Sequence, residues 1–448
     1  MRFLPEHREP KVAIVGLGYV GSCFAAILAD HGCEVIGVDN DARLVDELTA
    51  RHCRYHEEGL ADLLFTSMAA GRLRVTTDYA ALTAADVVII AVGTPVREDG
   101  SLVDGQLRGA CTEVSRHLRA GQLVVLKSTV PPGTTRELVL PLLERGGLLQ
   151  GDDFGLAFTP ERFAEGTALR ELRKLPIVVG GMDDDSTEAA AAFWRRTFEV
   201  KVVPLPSPES AEIVKLADNW WIDLNIALAN ELAKFCALFE VDVLDVIAAA
   251  NTVPKGAGKV NILLPSVGVG GSCLVKDPWM VWRSARERGL EILTAPIGRE
   301  VNAGMPEYSA QLIAEELQRL GKDPAKSTVA VLGLAFKSDT GDLRATPVEA
   351  AVNALRKAGA KVRLYDPLVD PVQAEELFDL KPVATLREAV EGADCLALMT
   401  LHQQFREIDF AALPVSPSCL VLDGRAYYPA EKIASLRELG YVYRGIGR

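Results

Sequence analysis

The chain of 448 residues reads as an α/β protein, with two doubly wound Rossmann-like domains joined by a long central helix. Three observations carry that expectation. A glycine-rich turn lies between an apolar strand and a helix near the start, a helical stretch with few breakers covers residues 208–250, and strands alternate again with helices over residues 326–423. The expected division is residues 1–205, 206–310 and 311–448.

The first element is the apolar run Lys11-Val12-Ala13-Ile14-Val15, followed by Gly16-Leu17-Gly18-Tyr19-Val20-Gly21, a helical stretch to His31, and Glu34-Val35-Ile36-Gly37-Val38-Asp39. A lone GxGxxG is a weak signal. Set between two strands, with an acid closing the second, it predicts a dinucleotide site. Gly16 makes the turn, Gly18 lets backbone approach a pyrophosphate, and Gly21 lets helix pack on strand. The helix N-terminus offers amide donors to the phosphates. Asp39 is placed for the ribose hydroxyls of NAD and would repel the 2′-phosphate of NADP, although Arg43 close by can tolerate one.

Further strands at residues 85–92 and 123–127 end in Gly93-Thr94-Pro95 and Ser128-Thr129-Val130-Pro131. Loops at carboxyl strand ends hold ligands in open parallel sheets, so both turns are expected to face the cofactor; either one alone is ordinary turn chemistry. Pro160-Glu161-Arg162-Phe163-Ala164-Glu165 follows another strand. Acids around Pro and Gly usually mark a solvated turn, but at a strand end Glu161 becomes a candidate general base.

In the central helix, Lys215 and Asn219 lie one turn apart on a shared face. A single lysine on a helix is normally solvated. Here Leu216, Trp220, Trp221 and Leu224 surround it, which predicts a packed turn. A helix this apolar needs a covering surface, and the expectation is a domain hinge and a homodimer interface.

The stretch Val269-Gly270-Gly271-Ser272-Cys273-Leu274-Val275-Lys276-Asp277 is poor helix and good loop sequence. An exposed Cys273 beside the Lys276 ammonium would favour thiolate, the competent nucleophile, and Asp277 can hold a water or relay a proton. The competing view is that Cys273 is a small buried hydrophobe, as most free cysteines are. In the last third, the strand at residues 329–332 leads into Gly333-Leu334-Ala335-Phe336-Lys337, and residues 360–366 form a strand ending in Asp366. Without a GxGxxG this domain is expected to bind something other than a dinucleotide, with Lys337 and Arg344 available to phosphates or simply exposed.

Net charge of -13 argues against nucleic acid or an anionic membrane as the main partner. The eight cysteines are scattered without a CxxC pair, as expected in a reducing cytosol, and the six histidines show no metal-ligand spacing. Residues 1–6 read as too short and polar for a signal peptide, and no apolar run approaches the ~20 residues that span a bilayer. The expected location is cytoplasmic.

Taken in order, these motifs resemble the UDP-glucose/GDP-mannose dehydrogenase family of nucleotide-sugar 6-dehydrogenases over nearly the whole chain. The resemblance rests on Gly16 to Gly21, Gly93-Thr94-Pro95, Lys127-Ser128-Thr129-Val130-Pro131, Pro160-Glu161, Lys215 with Asn219, Gly270-Gly271-Ser272-Cys273, Lys276-Asp277 and Gly333 to Lys337. It implies a four-electron oxidation of the sugar C6 alcohol to a carboxylate with two NAD, through a thiohemiacetal and then a thioester on Cys273. By the same resemblance Lys215 and Asn219 stabilise the oxyanion at C6, Asp277 and Thr129 position water or relay protons, and Glu161 is the base for the thioester step. It puts Gly16, Gly18, Tyr19, Val20, Gly21, Asp39, Arg43, Gly93, Thr94, Thr129, Lys276 and Arg344 on the cofactor. It puts Glu161, Arg162, Phe163, Glu165, Lys215, Asn219, Lys259, Gly270, Phe336 and Lys337 on a UDP-sugar, with Lys337 near the pyrophosphate.

One position departs from the family pattern. Lys259 stands where an arginine usually reaches the partner subunit's site, and lysine lacks the bidentate fork. The cysteine loop and residues 164–168 are similar to UDP-glucose enzymes, and residues 223–227, 260–263 and 277–279 to UDP-N-acetylmannosamine enzymes; because the first likeness includes the cysteine loop itself, the expected reaction is UDP-glucose to UDP-glucuronate, with UDP-N-acetylmannosamine as the alternative substrate. Two rival readings remain, a two-electron hydroxyacid-type dehydrogenase needing no cysteine, and a catalytically silent sensor of NAD and nucleotide sugar.

Overall fold

The computed structural model describes residues 2–448. They form two compact units, one of residues up to 218 with 283–290, the other of 219–282 with 291–448. The expected central region 206–310 contributes to both.

In the first unit the strands are β1 (Val12–Val15), β2 (Val35–Val38), β3 (Leu73–Thr76), β4 (Val87–Ile90), β5 (Leu123–Leu126), β6 (Gly155–Phe158), β7 (Ile177–Gly181) and β8 (Val202–Leu205). They make one sheet in the order β3-β2-β1-β4-β5-β6-β7-β8. The first six are parallel, β7 runs antiparallel to β6, and β8 is parallel to β7. β1, β4 and β5 are buried at every residue, which is why they read as unbroken Val/Ile/Leu runs rather than alternating ones. The order 3-2-1-4-5-6 reverses between β1 and β4, where such sheets open a ligand crevice.

The turn after β1 requires glycine twice. Gly16 has φ +95°, and a Cβ on Gly21 would lie 1.8 Å from the Gly16 carbonyl oxygen. The helix Tyr19–Asp30 then starts at Gly18 with no side-chain cap, so its first amides keep their donor capacity.

The helical span expected over residues 208–250 is corrected. One helix covers Pro208–Ala237 and a second covers Val243–Ala250. Between them Glu240 takes φ 56°, and Asp242 caps the second helix by accepting from the Leu244 amide. The apolar spacing continues across this break, so periodicity alone does not register it.

The second unit contains the hairpin β9 (Pro254–Lys255) and β10 (Gly258–Lys259), then β11 (Thr328–Leu332), β12 (Lys361–Tyr365), β13 (Cys395–Leu398), β14 (Leu420–Asp423) and β15 (Val442–Gly445). The last five form a sheet in the order β12-β11-β13-β14-β15, parallel throughout. This is the second doubly wound domain. Among the described residues no helix is long and apolar enough to cross a membrane.

Candidate functional site

At the carboxyl ends of β1, β2 and β4 the first unit opens a cleft of about 810 Å³, lined by Gly16, Gly18, Asp39, Gly93, Arg54 and Tyr55 among others. Asp39 is held for a ligand by its own backbone neighbours: Oδ2 accepts from the Leu17 amide at 2.6 Å and Oδ1 from the Asp41 amide at 2.9 Å. The features that fit a dinucleotide are this oriented acid, the uncapped helix start, and Gly18, where an added Cβ would meet nothing within 4 Å. Thr94 is buried and Thr129 half-buried.

Arg43 and Tyr19, expected on the cofactor, and Phe163, expected on the sugar, have the following surroundings. Arg43 is exposed and is not among the residues lining the cleft; the guanidinium there belongs to Arg54, which pairs with Glu47 at 2.7 Å. The Tyr19 hydroxyl donates to Glu57, which also accepts from the Gly166 amide at 2.6 Å, so Tyr19 ties the helix start to the loop of residues 163–167. Burial and that acid raise its pKa. Phe163 packs on Tyr19 and Phe24, with ring centroids 6.2 and 5.9 Å apart.

Glu161 and Lys215, which the sequence reading placed in the site without pairing them, meet. The Lys215 ammonium lies 3.4 Å from Glu161 Oε2, both side chains being buried. Glu161 Oε1 is buried with no hydrogen-bond partner among the described residues, so it retains lone pairs for a proton. Arg162 instead binds Asp218 at 2.8 Å. Beneath Glu161 lies a residue to which the sequence reading gave no role: Lys127, buried, donates to the Thr159 carbonyl at 3.0 Å and sits 4.3 Å from the Phe24 ring centroid. Burial, with the charge of Lys215 adding to it and Glu161 opposing, pushes its pKa down to about 7.

The loop of residues 128–135 is held by Glu212, which accepts from the Gly133 amide at 2.6 Å and the Thr135 amide at 2.9 Å. Burial pushes Glu212 up to about 7 against those hydrogen bonds. Glu212 carries no local sequence signal, and the motif that contains Lys127 does not announce its burial, since a buried charge is defined by distant packing.

In the second unit Cys273 is, among the described residues, the one exposed cysteine of the eight. Burial pushes the thiols of Cys33, Cys111 and Cys419 up to about 12, which keeps them protonated and inert at neutral pH. The Cys273 carbonyl accepts from the Asp277 amide at 2.9 Å, closing the turn that starts the helix Asp277–Glu287. Asp277 is fully buried and holds two groups, the Asn219 side-chain amide at 2.5 Å and the Lys276 ammonium at 2.7 Å. A Cβ on Gly270 would lie 2.5 Å from Phe336 Cβ, and one on Gly271 (φ +83°) 2.8 Å from the Phe336 ring. The glycines thus let the cysteine loop lie against the loop that carries Lys337. Arg425 fixes that loop by donating to the Phe336 carbonyl at 2.7 Å. Arg344 is exposed and pairs with Asp342, and Lys259 is exposed on the β9–β10 hairpin.

A cleft with the features of a dinucleotide site in one unit and, in the other, an exposed cysteine on the loop that leads into the buried Asp277 fit an oxidoreductase. Sequence models of the family match the chain as three segments: the NAD binding domain at residues 10–198, the central domain at 209–304 and the UDP binding domain at 330–430. The chain belongs to the UDP-glucose/GDP-mannose dehydrogenase family, and its reaction class is that of an NAD-dependent nucleotide-sugar 6-dehydrogenase. It is 32% identical over 439 residues to a UDP-N-acetyl-D-mannosamine dehydrogenase of Pyrococcus horikoshii, covering 98% of this chain and 99% of that one. It is 34% identical over 426 residues to a UDP-glucose 6-dehydrogenase of Haloferax volcanii, covering 93% and 96%. The solved structure of a UDP-glucose dehydrogenase from Pyrobaculum islandicum matches with a TM-score of 0.86 at 30% identity, covering 99% of each chain.

Proposed function

We propose that the protein oxidises the C6 alcohol of a UDP-sugar to the carboxylate in two steps on Cys273. The net reaction is RCH2OH plus two NAD⁺ plus water to RCOO⁻ plus two NADH plus three protons. Bound NAD supplies the hydride acceptor. Cys273 adds to the first product, an aldehyde, giving a thiohemiacetal; loss of the second hydride leaves a thioester, which water hydrolyses. The observation that carries this reading is the exposed Cys273 on a glycine loop whose helix start holds Asp277 against Asn219.

Within this scheme Asn219 and Lys215 stabilise negative charge on the C6 oxygen. The unpartnered Oε1 of Glu161 takes the proton of the hydrolytic water. Asp277 orients Asn219, and Thr129 steadies water. The pyrophosphate of the substrate binds on the loop of Phe336 and Lys337. A UDP-N-acetylhexosamine is supported at least as well as UDP-glucose: the cysteine loop favours glucose, whereas the Pyrococcus relative is named for N-acetylmannosamine.

We also propose a cytoplasmic homodimer. Trp221, Leu228 and Phe235 recur every seven residues along the long helix and are 50%, 52% and 57% exposed, an apolar stripe suited to the same stripe on a second copy.

Counting NADH per sugar consumed, over a panel of UDP-sugars, tests the reaction and selects the substrate. Two equivalents are expected, and one equivalent refutes the four-electron scheme. Cys273→Ser should lose turnover by at least about 10³-fold while NAD binding stays within about twofold.

A further inference from the structure

Asp39 and Asp366 occupy matching places in their respective units. Each follows the strand beside the first strand of its unit's large sheet, and each accepts, at 2.6 Å on Oδ2, the amide just after a positive-φ turn glycine: Leu17 after Gly16, Leu334 after Gly333. Each also accepts an amide two residues onward, from Asp41 at 2.9 Å and from Leu368 at 2.8 Å. Their surroundings then diverge. Asp39 lines the open cleft; Asp366 borders a smaller cleft of about 450 Å³, but its side chain is 1% exposed, with His402 Nε2 at 2.9 Å from its Oδ2.

The other face of His402 determines its chemistry. Nδ1 lies 2.8 Å from the Asp339 amide nitrogen, which can only donate. Nδ1 therefore carries the lone pair, and Nε2 carries the proton given to the carboxylate: a neutral imidazole in one tautomer. Burial pushes the Asp366 carboxyl up, but His402 and the amides of Leu334 and Leu368 outweigh it and hold its pKa below the usual value, so it stays an acceptor. Asp339 has φ +60°, and its own Oδ1 accepts the Gln403 amide at 2.7 Å. Residues 402 and 403 thus grip the loop two positions beyond Lys337 through both its main chain and its side chain.

We propose that His402 is a positioning residue for nucleotide-sugar binding, a neutral imidazole that latches the Lys337 loop to the strand-end acid Asp366. In the first unit this acid position faces a cofactor cleft; here it anchors the loop that meets the substrate. The proposal rests on Lys337 being a nucleotide contact.

His402→Phe keeps a ring against Phe405, whose centroid is 5.5 Å away, and removes both hydrogen bonds. It should raise KM for the UDP-sugar by roughly tenfold or more, with kcat and the KM for NAD within about twofold. His402→Asn, which restores an acceptor for the Asp339 amide, should recover most of that loss. An unchanged sugar KM in His402→Phe, a parallel fall in kcat, or an Asn variant no better than Phe overturns the proposal. Hydrogen exchange on the unaltered protein tests the latch without a variant or a substrate: the Asp339 amide should exchange much more slowly than an exposed loop amide, and fast exchange overturns the latch. Lys337→Ala separates the two ideas, because an unchanged sugar KM there removes the nucleotide assignment while the exchange result still decides the latch.

Discussion

Asn219 donates its side-chain amide to Asp277 across 2.5 Å, inside a turn where Asp277 is fully buried. A carboxylate that only accepts fixes which end of the Asn219 amide faces it, and leaves the second N–H of that nitrogen for another acceptor. Lys276 occupies the remaining carboxylate oxygen at 2.7 Å, so the acid is spent on orientation. Asp277→Asn keeps the volume and removes the charge that enforces this arrangement. We expect kcat to fall by about 10²–10³, the scale of one misplaced oxyanion donor, with the KM for NAD little altered. Steady-state kinetics at saturating sugar checks it.

Gly271→Ala should destabilise the protein by about 1–3 kcal/mol, since φ +83° disfavours a side chain and the new methyl would meet the Phe336 ring at 2.8 Å. Gly256→Ala is the control: it has φ +58° and open space around it, so it reports the backbone cost alone. Denaturant unfolding of the two variants should separate strain from collision, and Gly271→Ala should be the worse by a measurable margin.

Lys127 ties stability to pH. Its folded pKa of about 7 lies below the 10.5 of an ordinary lysine, so between those values the unfolded chain binds a proton that the folded chain does not. Stability then rises with pH across that window. Lys127→Met lacks this dependence. The stability of the parent relative to the variant should therefore grow from about pH 7 to pH 10, at up to about 1.4 kcal/mol per pH unit, followed by chemical denaturation at a series of pH values. A constant difference would place the ammonium of Lys127 in contact with water.

Glu212 has the opposite slope. Its folded pKa of about 7 lies above the 4.5 of an ordinary glutamate, so the folded chain holds the extra proton between them and its contribution to stability is lost as pH rises through about 7. Glu212→Gln should be flat over the same range and, relative to the parent, gain from pH 4.5 to 7. The same denaturation series detects it.

The apolar stripe on the long helix makes a prediction about mass. Trp221→Glu together with Leu228→Glu should convert a dimer to a monomer in light scattering at micromolar concentration, because burying two new carboxylates opposite their symmetry mates costs several kcal/mol. An unchanged mass would assign the stripe to something other than self-association.

The dinucleotide turn, the two doubly wound domains and the cysteine loop were legible in the order of residues. Gly16, Gly21 and Gly271 answer local demands, a positive φ or a close approach within one turn, and a short stretch of sequence expresses such demands completely. The break after Ala237 was not legible, because the apolar stripe continues through it and only Glu240 and Asp242 mark the turn. Side-chain partners were legible only where they share a helix or a turn. Folding decided that Arg54 rather than Arg43 lines the cofactor cleft, that Tyr19 answers Glu57, and that Lys127 lies buried beneath Glu161. The physical reason is common to all three. Burial and charge pairing are set by segments tens of residues apart meeting at a few ångströms, and no local pattern records which distant group will arrive.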